Sequence, residues 1–274
     1  MMLGTNEMNL PARYGPWAVI TGASEGTGRA FARELAAQGI ASVLVARREA
    51  PLRALAAEIH AQSGVRCEIL SQDLSAPDAA DRIVAVVGVR EVGLFIANAG
   101  ADPNGARFLD RELAVWESLL AQTIGCTVRC THHFAKGMRQ RGRGGVLLMG
   151  SGACYGGGSF MSLYAGAKAF GLCFAESLWA ELRTQGVDVL YAAPGRVDTP
   201  ALRQLLQQKG LPVPDNLPEA DTVARLSLAQ LPHGPVYNYG QTEDETGFAT
   251  SSAAARRQRV LMIDRASRSV FGQD

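Results

Sequence analysis

The sequence predicts an α/β protein in which helices flank a doubly wound sheet of seven mostly or entirely parallel strands. Short apolar runs alternate along the chain with longer segments of helical periodicity, which is the pattern of repeated strand–helix–strand units. The runs are continuously apolar, so both faces of the sheet are expected to be covered, as in parallel sheets. Right-handed crossovers between parallel strands then produce the doubly wound arrangement.

Each predicted strand is a run of β-branched or other apolar residues with polar residues or glycine around it. The first six runs read WAVIT, SVLVA, CEIL, GLFIAN, GVLLMG and VDVLYAA. They occupy residues 17–21, 42–46, 67–70, 93–98, 145–150 and 187–193, and VYNYG near residue 236 is a candidate for the seventh strand. Runs of this length are typical of strands in globular proteins.

Helices are predicted between these strands. The first is expected to run to Gln38 and end at Gly39, and the second to cover 50–62 and end near Gly64, because glycine commonly ends helices. Further helices are predicted near 77–87, over 111–139 and over 162–185. No linker divides the chain, so residues 1–274 are expected to form a single domain. Within it we expect a lid near 200–218 and an arginine-rich helical tail from about residue 251.

Composition argues against several functional classes. The net charge of the 274 residues is +1 at pH 7, which does not favour a nucleic-acid partner. No apolar run approaches the roughly 18 residues that span a bilayer, and the N-terminus lacks the layout of a signal peptide. The five cysteines are scattered and no histidine cluster accompanies them. We therefore expect a cytoplasmic protein with free thiols and no metal site.

Glycines in the stretch VITGASEGTGRAFA predict a phosphate-binding loop. Gly22, Gly26 and Gly28 lie between the first strand and the first helix. Glycine permits a tight turn and a close approach of pyrophosphate to the backbone, and the helix N-terminus supplies unpaired N–H groups. The alternative is an ordinary glycine-rich turn between a strand and a helix.

Two arginines at the end of the second strand predict NADP(H) as the cofactor in preference to NAD(H). A site for NAD would have Asp or Glu there to bond the ribose 2′-hydroxyl. This chain has Arg47 and Arg48, whose guanidinium groups suit a 2′-phosphate, with Arg47 as the chief contact. Glu25 and Glu49 lie nearby in sequence and oppose a preference for NADP(H). The alternative interpretation is that one or both arginines are solvated surface residues.

Other candidate cofactor contacts follow the third and fourth strands. Asp73 comes after the third strand, and Asn98, Ala99 and Gly100 come after the fourth. Ligands of open α/β sheets bind along the carboxyl edge of the sheet, where these residues are expected to lie. Taken alone, Asp73 is equally consistent with a turn or a helix cap.

The stretch YAGAKAF predicts the catalytic group. Tyr164 and Lys168 are four residues apart and therefore share one face of a helix. A free tyrosine has a pKa near ~10, and an ammonium close by favours the phenolate and lowers that pKa. Tyr164 is thus the expected proton donor to a carbonyl oxygen. Ser151, at the end of the fifth strand, is the expected hydrogen-bond donor to the same oxygen.

Together these motifs resemble the short-chain dehydrogenase/reductase family, over about residues 15–239. The resemblance is carried by TGASEGTG (21–28), NAG (98–100), Ser151, YAGAK (164–168) and PGRVDT (194–199). The stretch YGPWAVITGASEGTGRAFARELA looks most like the branch of hydroxysteroid dehydrogenases and long-chain 3-oxoacyl reductases. The resemblance implies a Rossmann fold and an NAD(P)-dependent enzyme that acts on CH–OH groups.

The resemblance also implies roles for single residues. Tyr164 would be the acid and base, Ser151 the carbonyl binder, and Lys168 the group that lowers the pKa of Tyr164 and binds the nicotinamide ribose. Asp73 would contact adenine and Asn98 the adenine-side ribose, while the turn after the sixth strand would contact nicotinamide. The expected cofactor contacts are Gly22, Ser24, Gly26, Thr27, Gly28, Arg47, Arg48, Asp73, Leu74, Asn98, Ala99, Gly100, Tyr164, Lys168, Pro194, Gly195, Val197 and Thr199.

One position departs from the family pattern. The family's fourth catalytic residue is an asparagine in the long helix before the fifth strand, and alignment through Trp116 puts Thr123 at that position. Threonine forms hydrogen bonds but lacks the two-ended reach of an amide. The proton relay towards Lys168 is therefore expected either to run through Thr123 and water or to be impaired.

Residues on either side of the catalytic group favour a hydrophobic substrate. Three glycines at 156–158 predict a mobile lip, and Tyr155, Phe160 and Met161 are candidates to line an apolar pocket. The leucines of 201–217 either close over the substrate as a lid or pack on the sheet.

The expected reaction is hydride transfer between NADP(H) and a hydrophobic ketone or secondary alcohol. The alternative is a non-catalytic NADP-binding sensor or scaffold, and isomerase or epimerase chemistry would use the same residues. The resemblance further implies a homodimer or homotetramer that assembles through the helices predicted at 111–139 and 162–185. His132 and His133 fall on the first of these helices and are expected at the surface or in the interface.

Overall fold

The computed structural model describes residues 9–101, 105–155, 158, 160–239, 257 and 261, and a single seven-stranded sheet forms its centre. The strands are β1 (Trp17–Thr21), β2 (Ala41–Ala46), β3 (Cys67–Ser71), β4 (Val92–Ala97), β5 (Gly144–Met149), β6 (Val187–Ala192) and β7 (Val236–Tyr237). Their spatial order is β3-β2-β1-β4-β5-β6-β7, and every neighbouring pair is parallel. The predicted fold class and all seven predicted strands are confirmed.

Helices cover both faces of the sheet. They are α1 (Leu10–Tyr14), α2 (Gly26–Ala37), α3 (Glu49–Ser63), α4 (Ala79–Val87), α5 (Leu113–Leu120), α6 (Cys126–Arg141), α7 (Ser162–Leu182), α8 (Pro200–Gln208) and α9 (Ala220–Gln230). The predicted helix over 111–139 is divided into α5 and α6 by a π-helical turn over Ala121–Gly125. Helices α1, α8 and α9 were not predicted. In the predicted tail only Arg257 and Leu261 are described, both in helical conformation, and the rest lies outside the described residues.

The core lies on both sides of the sheet because successive residues of a strand point to opposite faces. In β1, Val19 packs in one hydrophobic cluster and Ile20 in the other, and Phe95 and Leu94 of β4 divide in the same way. All four side chains are fully buried. The first cluster includes residues of α4, α6 and α7, and the second includes residues of α2, α3 and α9. This two-sided burial explains the continuously apolar strands.

The strand order reverses at β1, which creates a crevice. Strand β1 pairs with β2 on one side and with β4 on the other. Connections that leave β1 and β4 therefore diverge, and ligands of open α/β sheets bind at such a switch point. Gly22 follows β1 and Asn98 follows β4, so these two predicted cofactor residues border the crevice.

The opposite, amino-terminal edge of the sheet is tied to α1. Arg13 forms a two-pronged ion pair with Asp188 of β6, at nitrogen–oxygen distances of 2.6 and 2.8 Å. The fully buried Tyr14 donates a hydrogen bond from Oη to the same carboxylate at 2.7 Å. This cluster anchors α1 at the end of β6 that is remote from the crevice.

Candidate active site

The glycine loop has the close backbone packing that was predicted for it. Gly22 has φ +69°, in the left-handed region that favours glycine. A Cβ on Gly28 would overlap the carbonyl oxygen of Gly22, so only glycine fits there. Glu25 precedes α2 but makes no side-chain cap, and its carboxylate therefore leaves the helix N-terminus open. These features suit an anion at the start of α2.

Asn98 holds this loop to the end of β4. Its Oδ1 accepts a hydrogen bond from Thr27 Oγ1 at 2.7 Å, and its Nδ2 donates to the carbonyl oxygen of Gly22 at 3.1 Å. Thr21 Oγ1 accepts the backbone N–H of Asn98 at 3.2 Å and that of Ala99 at 3.4 Å. The amide of Asn98 thus shapes the loop from within. This role of Thr21 was not predicted from the sequence.

The two arginines after β2 differ in their surroundings. Arg48 Nη2 lies 2.6 Å from Glu25 Oε2, so its charge is already paired. Arg47 has no ion-pair partner among the residues that the structure describes. Glu49, which also opposed the NADP prediction, is paired with Arg53 instead. Arg47 is therefore the arginine available to an added anion.

Asp73 and Leu74, both predicted cofactor contacts, have local structural roles after β3. Asp73 Oδ1 accepts hydrogen bonds from the backbone N–H and the hydroxyl of Ser75, at 2.9 and 2.8 Å. These bonds, and more weakly the charge of Arg47, lower the pKa of the Asp73 carboxyl. Leu74 is only 6% exposed and packs in the core. The turn-forming alternative for Asp73 is thus realised, with its carboxylate close enough to Arg47 to sense that charge.

Lys168 is buried beneath the predicted catalytic tyrosine. It is 5% exposed, and Nζ donates a hydrogen bond to the carbonyl oxygen of Met149 at 2.9 Å. Nζ also lies 5.6 Å from the ring centroid of the half-buried Tyr164. Burial lowers the pKa of Lys168 to about 8, because a desolvated ammonium is disfavoured. Most Lys168 side chains nevertheless remain protonated at pH 7.

Ser151 lies just beyond β5, with its hydroxyl free to donate. Ser151 Oγ accepts the backbone N–H of Ala153 at 3.2 Å, which leaves its own proton for another acceptor. The backbone N–H of Ser151 donates to Tyr191 Oη at 3.3 Å, and Tyr191 Oη donates to the carbonyl oxygen of Lys168 at 2.9 Å. Sequence reasoning missed Tyr191, since it reads simply as an apolar residue of a buried strand.

Thr123 and Lys168 face the same small space. Thr123 lies on the π-helical turn, and its buried Oγ1 has no hydrogen-bond partner within the described part of the chain. A Cβ built on Gly100 would lie 3.4 Å from Thr123 Oγ1 and 3.3 Å from Lys168 Nζ. An adjacent cavity of about 30 Å³ is lined by Thr123, Thr127 and Lys168, among others. That volume accommodates one water molecule.

The turn after β6 brings the remaining predicted cofactor residues to the crevice. The carbonyl oxygen of Pro194 accepts the backbone N–H of Gly152 at 3.0 Å, which ties the turn to the end of β5. A Cβ on Gly26 would lie 3.0 Å from Thr199 Cγ2, so the turn also reaches the glycine loop. Thr199 Oγ1 caps α8 by accepting the backbone N–H of Leu202 at 3.2 Å. The other members of the predicted set here are Gly195, which is exposed, and Val197, which is half-buried.

Apolar side chains are exposed before α7 and around α8. Phe160 and Met161 are 47% and 40% exposed, and the Arg107 guanidinium lies 5.3 Å from the Phe160 ring centroid. In the predicted lid, Leu206 is buried whereas Leu205 and Leu211 are exposed. Whether these leucines close over a substrate or pack on the sheet stays a prediction. Of the predicted glycine lip, residues 156 and 157 lie outside the described residues.

The described residues form neither a metal cluster nor a membrane-spanning helix. Across the described ranges, no group of three or more His, Cys, Asp or Glu side chains is arranged to hold a metal ion. Within the same part of the chain, no helix combines the length and apolarity needed to cross a bilayer. His132 and His133 are both exposed on α6, as expected for residues at the surface or in an interface.

Known proteins share both sequence and fold with this chain. The family model described as short chain dehydrogenase matches residues 16–210. A 7beta-hydroxysteroid dehydrogenase from Clostridium sardiniense is 32% identical over 193 residues, which cover 70% of this chain and 74% of that one. A very-long-chain 3-oxoacyl-CoA reductase from Laccaria bicolor is 35% identical over 189 residues, which cover 68% of this chain and 56% of that one. The solved structure of a short-chain dehydrogenase from Sphingobium yanoikuyae in complex with NADPH matches with a TM-score of 0.77 and 27% identity, covering 94% of this chain and 97% of that one.

Proposed function

Since the chain belongs to the short-chain dehydrogenase family, we propose that it transfers hydride between NADP(H) and a hydrophobic ketone or secondary alcohol. The relatives confirm the predicted branch, because they are named 7beta-hydroxysteroid dehydrogenase and very-long-chain 3-oxoacyl-CoA reductase. The chain is thus an oxidoreductase of this family. The observation that carries the proposal is the buried ammonium of Lys168, 5.6 Å from the ring centroid of Tyr164.

Tyr164 is the proton donor in the direction of reduction. Its Oη gives a proton to the substrate's carbonyl oxygen, and the ammonium of Lys168 stabilises the phenolate that remains. Ser151 Oγ donates a hydrogen bond to the same oxygen, because its acceptor side is already used by the Ala153 amide. In the direction of oxidation the same groups act in reverse.

The glycine loop fits the pyrophosphate of a nicotinamide dinucleotide, because Gly28 lets the first turn of α2 pack closely on Gly22 and no side chain caps the start of that helix. When bound, NADPH supplies the hydride. The N–H groups at the start of α2 bind the pyrophosphate, and Arg47 binds the 2′-phosphate. NADP(H) in preference to NAD(H) is supported by Arg47, which has no ion-pair partner in the described part of the chain, and by the NADPH complex of the Sphingobium yanoikuyae relative.

A hydrophobic substrate is supported by the apolar side chains close to Tyr164 in the chain. Phe160 and Met161 remain exposed just before α7, where a bound apolar molecule would cover them. Leu205 and Leu211 are exposed near the turn after β6. The named substrates of the relatives, a hydroxysteroid and a very-long-chain 3-oxoacyl thioester, are both large and largely apolar.

Assembly into a homo-oligomer through α6 and α7 is part of the same proposal. A groove of about 340 Å³ runs between these helices, with apolar lining from Val128, Ala135, Phe174, Leu178 and Leu182 and polar lining from Thr131, His132, Lys136 and Arg139. Covering such a groove with a second copy removes apolar surface from water. The cytoplasmic location that was expected from the sequence stays a prediction.

Tyr164→Phe tests the proposed chemistry. The variant should bind NADPH as tightly as wild type, measured by cofactor fluorescence, because only one hydroxyl is lost. Its turnover on a panel of hydrophobic ketones should fall by at least about 100-fold, the usual contribution of a positioned proton donor. Tyr14→Phe, remote from the crevice, is the matched control and should keep its turnover. A Tyr164→Phe variant as active as wild type would contradict the assigned role, and wild type that binds NADPH but reduces no ketone would contradict the substrate class.

A further inference from the structure

Tyr191 connects two residues of the proposed catalytic group through one hydroxyl. It lies near the carboxyl end of β6 and is 1% exposed. Its Oη accepts the backbone N–H of Ser151 at 3.3 Å and donates to the backbone carbonyl of Lys168 at 2.9 Å. Ser151 follows β5 and Lys168 lies on α7, so a strand end and a helix are bound to a single atom.

Two glycines make room for the Tyr191 ring. A Cβ on Gly150, next to Ser151, would overlap the ring, so no larger residue fits there without displacing it. A Cβ on Gly171, one turn after Lys168, would lie 3.2 Å from Tyr191 Cε2. The ring thus fills the space between the end of β5 and α7, and it lies against each of these elements at a glycine.

The hydroxyl remains a neutral donor over the whole working range of pH. Burial raises the pKa of Tyr191 well above its ordinary value, with a further contribution from the neighbouring Cys154. The backbone of Ser151 requires an acceptor at this point, since it lies past the last residue of β5. The neutral Tyr191 hydroxyl provides this acceptor and takes no proton from Tyr164 or from the substrate.

We propose that Tyr191 is a positioning residue, which fixes the separation between Ser151 and α7, the helix that carries both Tyr164 and Lys168. This inference rests on the proposed function, because the position of Ser151 relative to α7 affects turnover only if Ser151, Tyr164 and Lys168 act together in catalysis. Removing the hydroxyl leaves the Ser151 N–H without its acceptor and lets α7 shift relative to β5. Small errors in the placement of reacting groups reduce rates strongly, by as much as about 100-fold for a displacement of 1 Å.

Tyr191→Phe, compared with Tyr14→Phe, is the experiment. Each variant removes one hydrogen-bonded hydroxyl from a buried tyrosine, but Tyr14 binds Asp188 at the far end of β6. In Tyr191→Phe we expect kcat to fall about 10- to 100-fold, with the dissociation constant for NADPH unchanged within about twofold. We also expect the pH profile of kcat/KM to shift, because a movement of α7 relative to β5 alters the hydrogen bond from Lys168 Nζ to the carbonyl oxygen of Met149. Tyr14→Phe should lose comparable thermal stability and keep kcat and the pH profile.

Gly171→Ala is the second variant, and it keeps the test decisive if Tyr191→Phe fails to fold. Its methyl group presses on the ring while the hydroxyl stays, and alanine favours a helix over glycine by roughly 1 kcal/mol. Reduced kcat and a shifted pH profile in a protein that is no less stable would support positioning. The inference is overturned if Tyr191→Phe, or Gly171→Ala in its place, keeps the wild-type kcat and pH profile. It is also overturned if Tyr14→Phe lowers kcat equally. Failure of the proposed function itself would show separately, as full turnover in Tyr164→Phe.

Discussion

Arg47→Met and Arg48→Met, made separately, should weaken binding of a 2′-phosphate very unequally. Arg47 has no ion-pair partner among the described residues, whereas Arg48 lies 2.6 Å from Glu25. A hydrogen bond to a charged group is worth about 1.5–3 kcal/mol. Losing Arg47 should therefore weaken binding about 10- to 150-fold, since each 1.4 kcal/mol is tenfold. Losing Arg48 should cost less than about fivefold, because its charge is already neutralised.

Adenosine 2′,5′-bisphosphate and adenosine 5′-monophosphate are the probes for this comparison. They differ only in the 2′-phosphate, and calorimetry gives both dissociation constants without reference to turnover. The change in Arg47→Met should appear for the bisphosphate and be nearly absent for the monophosphate. It should also shrink at high salt, as exposed charge pairs do. Equal losses in the two variants, or equal losses for the two probes, would refute the reasoning.

Glu25→Gln completes the cycle by releasing Arg48. An exposed ion pair is worth about 0.2–1 kcal/mol, so the bisphosphate should bind about 1.5- to 5-fold more tightly. This gain should vanish in the double variant Glu25→Gln with Arg48→Met. A gain that persists there would mean that Glu25 repels the phosphate directly and that its bridge to Arg48 is irrelevant.

Two other predictions concern the space beneath Tyr164. Burial lowers the pKa of Lys168 from 10.5 to about 8, so between those values the unfolded chain binds more protons and wild-type stability rises with pH. Lys168→Met should thus raise the free energy of unfolding at pH 7 by up to about 3 kcal/mol, and this gain should fade towards pH 10.5. The variant should also lose turnover. Urea unfolding at both pH values measures the gain, and a variant less stable than wild type at pH 7 would contradict the prediction. Thr123→Asn should raise kcat by roughly one order of magnitude, because the amide reaches further than the unpaired Oγ1 towards Lys168. Thr123→Val is the control and should not raise kcat, and an Asn variant no faster than wild type would show that the native relay is already complete.

Much of the fold was predictable because its signals are local. All seven strands appeared where continuous apolar runs predicted them, and Gly39 and Gly64 follow the helices that they were expected to end. Helices α1, α8 and α9 were missed, although α4 has only 9 residues and was predicted. Helix α4 lies between two clear apolar runs, whereas α1 precedes the first strand and α8 begins in the segment that was interpreted as a lid. A π-helical turn divides the predicted long helix, and no glycine or proline at the start of this turn predicts the interruption.

The residues of the candidate site also divide into those that the sequence predicted and those that it did not. A glycine loop and a helix face can each be recognised from the spacing of residues along the chain alone. That spacing identified Gly22, Gly28, Tyr164 and Lys168. The partners of these residues were not recognisable, since they come from other elements. The contact of Asn98 with a ribose stays a prediction, and the bonds from its amide to the glycine loop were not predicted.

By itself, the sequence determined the parallel sheet, the glycine loop and the pairing of Tyr164 with Lys168, because continuous apolar runs, the spacing of glycines and the four-residue spacing on a helix face can all be read directly from the chain. Only the tertiary structure decided that Glu25 neutralises Arg48 and leaves Arg47 open. It also decided that Tyr191 joins Ser151 to Lys168. Contacts of this kind depend on how strands and helices stack, and that stacking brings together residues whose separation in sequence carries no information about their distance in space.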